Sequence, residues 1–241
     1  MSACSLPLSA GTEPQGEQIE RASQVRREDS RSRECSLGRK SRTPRGTIGP
    51  VRTGDELVAR EAELHAEARA FLDEHDVEAQ LARAGRVLLV GSFVTGLMVW
   101  RDIDVCVAAD GLDRAGAWTL VEPFVLGADR VRYEHLEEPD DRRHYFVLRL
   151  SGWKLDLSLF TAGIPPEVEA FQEHLLARLD DETRLTILRL KELWHRRPEY
   201  PELVGGYEIC AAVLGGVRTS AELEAHLRQR GLLTRPGSRT G

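Results

Sequence analysis

The segment Asp102-Ile-Asp-Val-Cys-Val-Ala108 constrains this chain more than any other. Alternation along a strand sends Ile103, Val105 and Val107 to one face and Asp102, Asp104 and Cys106 to the other. The apolar face belongs over a core, which leaves two carboxylates side by side on the opposite face. Such neighbours repel, and a cation between them is the simplest way to keep both ionised. Carboxylate oxygens suit a hard ion, Mg2+ or Mn2+, which takes one or two protein carboxylates and completes its shell with phosphates and water.

A second segment repeats the pattern. In Trp153-Lys-Leu-Asp-Leu-Ser-Leu-Phe160, Trp153, Leu155, Leu157 and Leu159 make an apolar face, while Lys154, Asp156, Ser158 and Phe160 share the other. Asp156 is an acid between two leucines in a strand otherwise patterned for burial. If this strand lies beside the first, Asp156 completes a cluster of three carboxylates, the arrangement that two-metal phosphoryl or nucleotidyl transfer requires. Lys154 is then either the partner that keeps Asp156 ionised or an ordinary surface lysine.

The third part is Arg86-Val-Leu-Leu-Val90, a continuous apolar run ended by Gly91-Ser92 that reads as a buried strand. Residues 92–100 have helical length, so the free N–H groups at their start would face whatever sits at the turn. Gly91 lets backbone approach a phosphate closely, and the Ser92 hydroxyl can donate to a β- or γ-phosphate oxygen. The segment is not a Walker A loop, because GSFVTGLM lacks the Gly-Lys-Ser/Thr ending.

The remaining pattern places these motifs. Thr53 and Asp55 offer N-caps to a helix reaching about Glu74, and a short helix covers 76–83. Residues 112–122 fit a helix that Pro123 should end. Strands follow near 129–136, 143–150 and 153–160, the last two joined by the two-residue hairpin signal Ser151-Gly152. Pro165 and Pro166 open a helix. Asp180 or Asp181 caps the next, which runs to about His195, and a third spans roughly 201–214. Thr219 to Glu222 is a capping box for a last helix closed by Gly231. The fold class is therefore α/β (α+β): a mixed β-sheet with flanking helices, followed by a helical C-terminal part.

Val90-Gly91-Ser92, Asp102-Ile-Asp104-Val105 and Leu155-Asp156-Leu157 together resemble the signature of the DNA polymerase beta-type nucleotidyltransferase superfamily. That signature is hydrophobic-Gly-Ser, a helix, an Asp-hydrophobic-Asp strand and a later hydrophobic-acid-hydrophobic strand. The resemblance covers about residues 86–160 and, more loosely, the helical C-terminus. It implies a nucleotidyltransferase domain over 53–162 and a helical region over 163–241; the stretch before them, 1–52, is not covered by it and reads as a disordered tail from its Ser, Arg, Glu, Gly and Pro content. It also implies Gly91 and Ser92 at the triphosphate, Asp102 and Asp104 as metal ligands, and Asp156 as third ligand and candidate general base. The implied reaction moves a nucleoside monophosphate from an NTP to an acceptor hydroxyl and releases pyrophosphate. The alternative is a non-catalytic nucleotide-binding regulatory or antitoxin-like module of the same fold. Arg101 departs from the small polar residue that many members carry before the first Asp.

Several residues have two readings. Lys191, on a mostly apolar helix, either reaches a phosphate from above the cleft or belongs to the core. Tyr207 and Glu208 either face the acceptor or are a buried Tyr and a solvated Glu. Arg130, Arg132, Arg142, Arg143 and Arg149 either bind phosphates or pair with Glu134, Glu137, Asp140 and Asp141.

Charge and composition narrow the partners. The chain carries a formal −6, and residues 1–50 hold nine Arg/Lys against six Asp/Glu, so the remainder carries −9. A body this acidic argues against long nucleic acid, whose binding rests on phosphate neutralisation, and favours a small-molecule or protein acceptor. No stretch approaches the roughly 18–20 apolar residues of a membrane span, and the N-terminus lacks a signal peptide, so a cytoplasmic location is expected. Cys4, Cys35, Cys106 and Cys210 suggest neither a disulfide framework nor a zinc site.

Overall fold

Five strands form one sheet in the order β1-β2-β5-β4-β3. They are β1 (Arg86–Val90), β2 (Asp102–Ala108), β3 (Ala128–Glu138), β4 (Asp141–Leu150) and β5 (Trp153–Phe160). The pairing of β2 with β5 is parallel and the other three pairings are antiparallel. This is a mixed sheet flanked by helices, as the sequence pattern requires. The structure, a computed structural model, describes residues 52–201 and 203–233; the expected disordered tail over 1–52 lies, but for Arg52, outside the described residues.

The helices are α1 (Gly54–Glu74), α2 (Val77–Leu81), α3 (Ser92–Thr95), α4 (Arg114–Gly127), α5 (Pro166–Leu176), α6 (Asp181–Trp194), α7 (Gly206–Leu214) and α8 (Ser220–Gln229). No helix of the described residues is long and apolar enough to cross a membrane. Alternation within the strands builds the first core. Ile103, Val105, Val107, Leu155, Leu157, Leu159, Phe146 and Leu148 all lie on one sheet face, at most 1% exposed, under Leu64, Phe71 and Leu72 of α1 and Val121 and Phe124 of α4. A second core gathers Ile187, Leu190 and Trp194 of α6 with Ile209, Val213, Leu223 and Leu227 from α7 and α8. Leu97 and Val99, on the connection between α3 and β2, join this second core, which ties the helical part to the sheet.

Capping follows the sequence closely. Thr53 and Glu56 form a reciprocal box at α1, Thr219 and Glu222 one at α8, and the Asp180 carboxylate accepts from the Thr183 amide. Ser151 and Gly152 both take positive φ (51° and 79°), as the two-residue β4–β5 turn demands.

Three expectations are corrected. The helix expected over 92–100 is only the single turn α3, because Gly96 is left-handed (φ 64°) and stops it. Pro123 does not end α4, which continues to Gly127. Its missing N–H costs one helical bond, but Val121 and Phe124 on either side are core residues, and their burial outweighs that loss. The helix expected from 201 begins at Gly206, where the Glu208 carboxylate accepts from the Gly205 amide at 2.7 Å.

Leu157 is fully buried at the centre of the sheet, whereas Leu126 on α4 is 81% exposed. Leu157→Ala should cost about 2–5 kcal/mol in urea denaturation and Leu126→Ala within about 0.5 kcal/mol. Equal effects would contradict this placement of the core.

Candidate active site

Parallel pairing of β2 with β5 sets Asp104 opposite Asp156 and Asp102 opposite Lys154. Strands about 4.8 Å apart bring such side chains together, and one carboxylate oxygen from each of Asp102, Asp104 and Asp156 lies within 4.8 Å of the others. The cluster expected from the sequence is therefore assembled, on the sheet face opposite the first core.

Asp156 is the most enclosed member, 7% exposed. Its Oδ2 accepts from the Tyr145 hydroxyl (2.8 Å) and from Lys154 Nζ (2.7 Å). Its Oδ1 is buried and has no hydrogen-bond partner. Lys154 Nζ also lies 3.2 Å from Asp102 Oδ1. Burial raises Asp104 to about 8, with the Asp102 and Asp156 charges adding to it. Burial also raises Asp102; Lys154 opposes and Asp156 adds, leaving it at about 6. For Lys154, burial works against the ammonium, but Asp102, Asp156 and Asp104 together outweigh it and hold the group above its ordinary value. Burial, with Asp156 next, holds the Tyr145 phenol above its usual value.

These observations test the fit to a metal. The donors are all carboxylate oxygens, two of them (Asp102 Oδ1 and Asp156 Oδ1) are buried without a hydrogen bond, and two of the acids resist ionising together. That donor set suits a hard divalent cation such as Mg2+ or Mn2+.

The Gly91 turn abuts the cluster. Val90 at the end of β1 is opposite Asp104. Gly91 has φ 70°, and a Cβ there would stand 2.7 Å from Asp104 Oδ2. Both backbone angle and space exclude any other residue without rearrangement. The Gly91 carbonyl accepts from the Thr95 amide (3.2 Å) and hydroxyl (2.9 Å). Lys191 on α6 donates to the Ser92 hydroxyl and to the Leu97 carbonyl (2.7 Å), and Arg184, two turns earlier, donates to the Gly96 carbonyl (2.6 Å). Two cations from the helical part thus brace α3 at both ends. Lys191 reaches the turn from within the core: it is 1% exposed, and its burial lowers its pKa.

Other candidates separate clearly. Arg143 is buried, donates to Ser158 (3.0 Å) and pairs with Asp141 (3.0 Å), and Arg142 stands opposite Glu137 in the β3–β4 ladder. Arg149 stands beside Lys154, and Arg130 beside Arg149, on the carboxylate face. Arg132 is two residues along on the same face, only loosely paired to Glu134 (3.7 Å). Arg101 turns onto α1, pairing with Glu67 at 2.8 Å, away from the carboxylates. Glu208 caps its own helix and the Tyr207 ring packs 4.4 Å from Phe171, so both have structural places.

Tyr145, Arg184 and the Trp100–Tyr200 pair were not among the sequence candidates. Trp100 meets Tyr200 edge-on at 5.8 Å, with Lys154 and Arg149 at 5.6 and 5.7 Å from its ring centre. The alternation of β4 puts Tyr145 on the side of Asp156 only once the β4–β5 register is known. Nothing local in the sequence marks the other three.

No family profile matches this sequence, and no curated protein matches it. Among solved structures, the chain is similar to the Cid1 poly(U) polymerase bound to Mg 3′-dATP (17% identity, TM-score 0.47, 67% of this chain and 55% of that one). It is also similar to the non-canonical poly(A) polymerase complex GLD-2–GLD-3 (13%, 0.42, 72% and 63%) and to the polymerase core of TRAMP, an RNA surveillance complex (18%, 0.41, 74% and 54%). The match thus spans little more than half the length of those chains.

Raised carboxyl pKa values make the metal-free fold pH-sensitive. Between about pH 4 and 8 the folded chain holds protons on Asp102 and Asp104 that the unfolded chain has released, so these two groups lower stability as pH rises. Metal-free wild type should therefore lose more Tm between pH 5.5 and 8 than Asp104→Asn does. Parallel Tm curves for the two proteins would contradict the shift.

Proposed function

We propose that this chain is a metal-dependent nucleotidyltransferase that moves a nucleoside monophosphate from an NTP to an acceptor hydroxyl. The observation that carries the reading is the β2–β5 register, which sets Asp104 opposite Asp156 next to the Gly91 turn. In the reaction the acceptor oxygen bonds to the α-phosphorus, the bond to the α–β bridging oxygen breaks, and pyrophosphate leaves. Asp102, Asp104 and Asp156 would hold Mg2+ or Mn2+, which when bound supplies charge neutralisation to the triphosphate and acidity to the acceptor hydroxyl.

The protein's own groups do the positioning. Gly91 allows the triphosphate close to the backbone, and the Ser92 hydroxyl faces the same turn. Lys191 and Arg184 keep that turn rigid. Tyr145 and Lys154 bind one oxygen of Asp156 and fix the carboxylate's orientation, leaving its other oxygen for a ligand or for the acceptor's proton. A purely nucleotide-binding module would have no need for all three acids, and the convergence of all three favours the enzyme.

The expectation of a small-molecule or protein acceptor rests on net charge, and the local charge of the sheet points elsewhere. Asp102, Lys154, Arg149 and Arg130 form one row across β2, β5, β4 and β3. Arg130 and Arg149 are like charges directly opposite each other and exposed, an unfavourable pair that an anion would relieve. Trp100 and Tyr145 lie among these cations, and basic groups interleaved with aromatic rings suit a single strand of nucleic acid. An RNA end is the acceptor this row favours.

Purified full-length protein incubated with labelled NTPs, Mn2+ or Mg2+, and either a short RNA or a metabolite pool should release pyrophosphate only when metal is present. Asp104→Ala should release none, and equal release from both proteins would remove the metal assignment. Arg130→Glu with Arg149→Glu should cut RNA extension roughly tenfold or more without changing NTP binding. Unchanged extension would return the acceptor to a small molecule or protein.

A further inference from the structure

Lys154 holds two of the three candidate metal ligands at once. Its ammonium is 2.7 Å from Asp156 Oδ2 and 3.2 Å from Asp102 Oδ1. Its side chain is only 12% exposed, walled in by the Trp100 ring at 5.6 Å. It sits directly opposite Asp102 in the ladder, so strand geometry rather than a flexible reach delivers it there.

The remaining oxygens are in a different condition. Asp104 has no side-chain hydrogen bond among the described residues, and its Oδ2 faces the bare Gly91 position. Asp156 Oδ1 is buried with neither a hydrogen bond nor an ion pair, whereas Asp102 Oδ1, also without a hydrogen bond, has the Lys154 ammonium 3.2 Å away; a buried polar group is costly to leave unmatched. The cluster is thus divided. One half, Asp104 with Asp156 Oδ1, is open to a cation. The other, Asp102 with Asp156 Oδ2, already has one.

We infer that Lys154 is a built-in counter-cation that reserves the Asp102 side of the cluster, so that the protein without nucleotide accepts a single divalent ion. A second ion enters only by displacing the ammonium. The triphosphate supplies the means, since its negative charge can receive the freed Lys154 and hold the second ion together with Asp102. Lys154 is on this view a positioning residue that makes complete metal loading depend on the nucleotide. The inference rests on the nucleotidyltransferase reading above.

The test needs no turnover. Mn2+ binding to full-length protein without nucleotide is titrated by electron paramagnetic resonance, with Asp104→Ala marking ions bound elsewhere. Wild type should bind one Mn2+ that Asp104→Ala loses. Lys154→Met should bind two, its total affinity rising on the order of tenfold or more because a unit charge within a few ångströms is gone. Lys154→Arg, which keeps the charge, should behave as wild type. Adding a non-hydrolysable NTP analogue should bring wild type to two ions. Equal stoichiometry in wild type and Lys154→Met overturns the inference while leaving the enzyme reading intact. No Asp104-dependent ion in either protein overturns both. If Lys154→Met is unfolded without metal, Mn2+ must refold it, and failure to do so also counts against the inference.

Discussion

The parallel contact between β2 and β5 is the interaction on which the rest depends. One face of that contact is the centre of the first core, where Ile103, Val105, Leu155 and Leu157 exclude water. The other face is the acid cluster. Because side chains alternate strictly, the two faces share one register. A slip of a single residue would bury the carboxylates and expose the leucines. Core burial therefore fixes the chemistry: the free energy that holds Leu157 in place is also what holds Asp156 against Asp104 despite their repulsion.

That coupling explains the unusual electrostatics. Three acids on adjacent strands would ordinarily push a sheet apart or take up protons, and the upward displacement of Asp102 and Asp104 shows the second tendency. The Lys154 charge limits it at both groups. The resulting asymmetry, one side paired with an ammonium and one side without a cation, is a more specific arrangement than three acids in a pocket.

Much of this was legible in the sequence, for a physical reason. A strand's period is two, so the acids of β2 and β5 could be assigned to a face from the sequence alone, and caps such as Thr53, Asp180 and Thr219 are local signals. What failed to show depends on packing between distant segments. Gly96 ends α3 where Arg184 approaches, and a Cβ at that glycine would meet the Arg184 guanidinium at 2.5 Å. Pro123 is tolerated because its neighbours are buried. Net charge averages over a surface, whereas Arg130 and Arg149 are made neighbours by the ladder, so the local charge of this face could not be read from the total.

The bracing of α3 by Arg184 and Lys191 has a consequence for whether the two halves of this protein can be separated. A boundary near residue 162 looks like a seam along which one helical module could be exchanged for another. Yet the rigidity of the Gly91 turn is supplied from α6, across that seam. Replacing the helical part would leave the Gly91 turn loosened unless the newcomer brought two cations to the same carbonyls. The two halves are therefore mechanically one unit, and a change at Arg184 or Lys191 on α6 is felt at the turn beside the carboxylates.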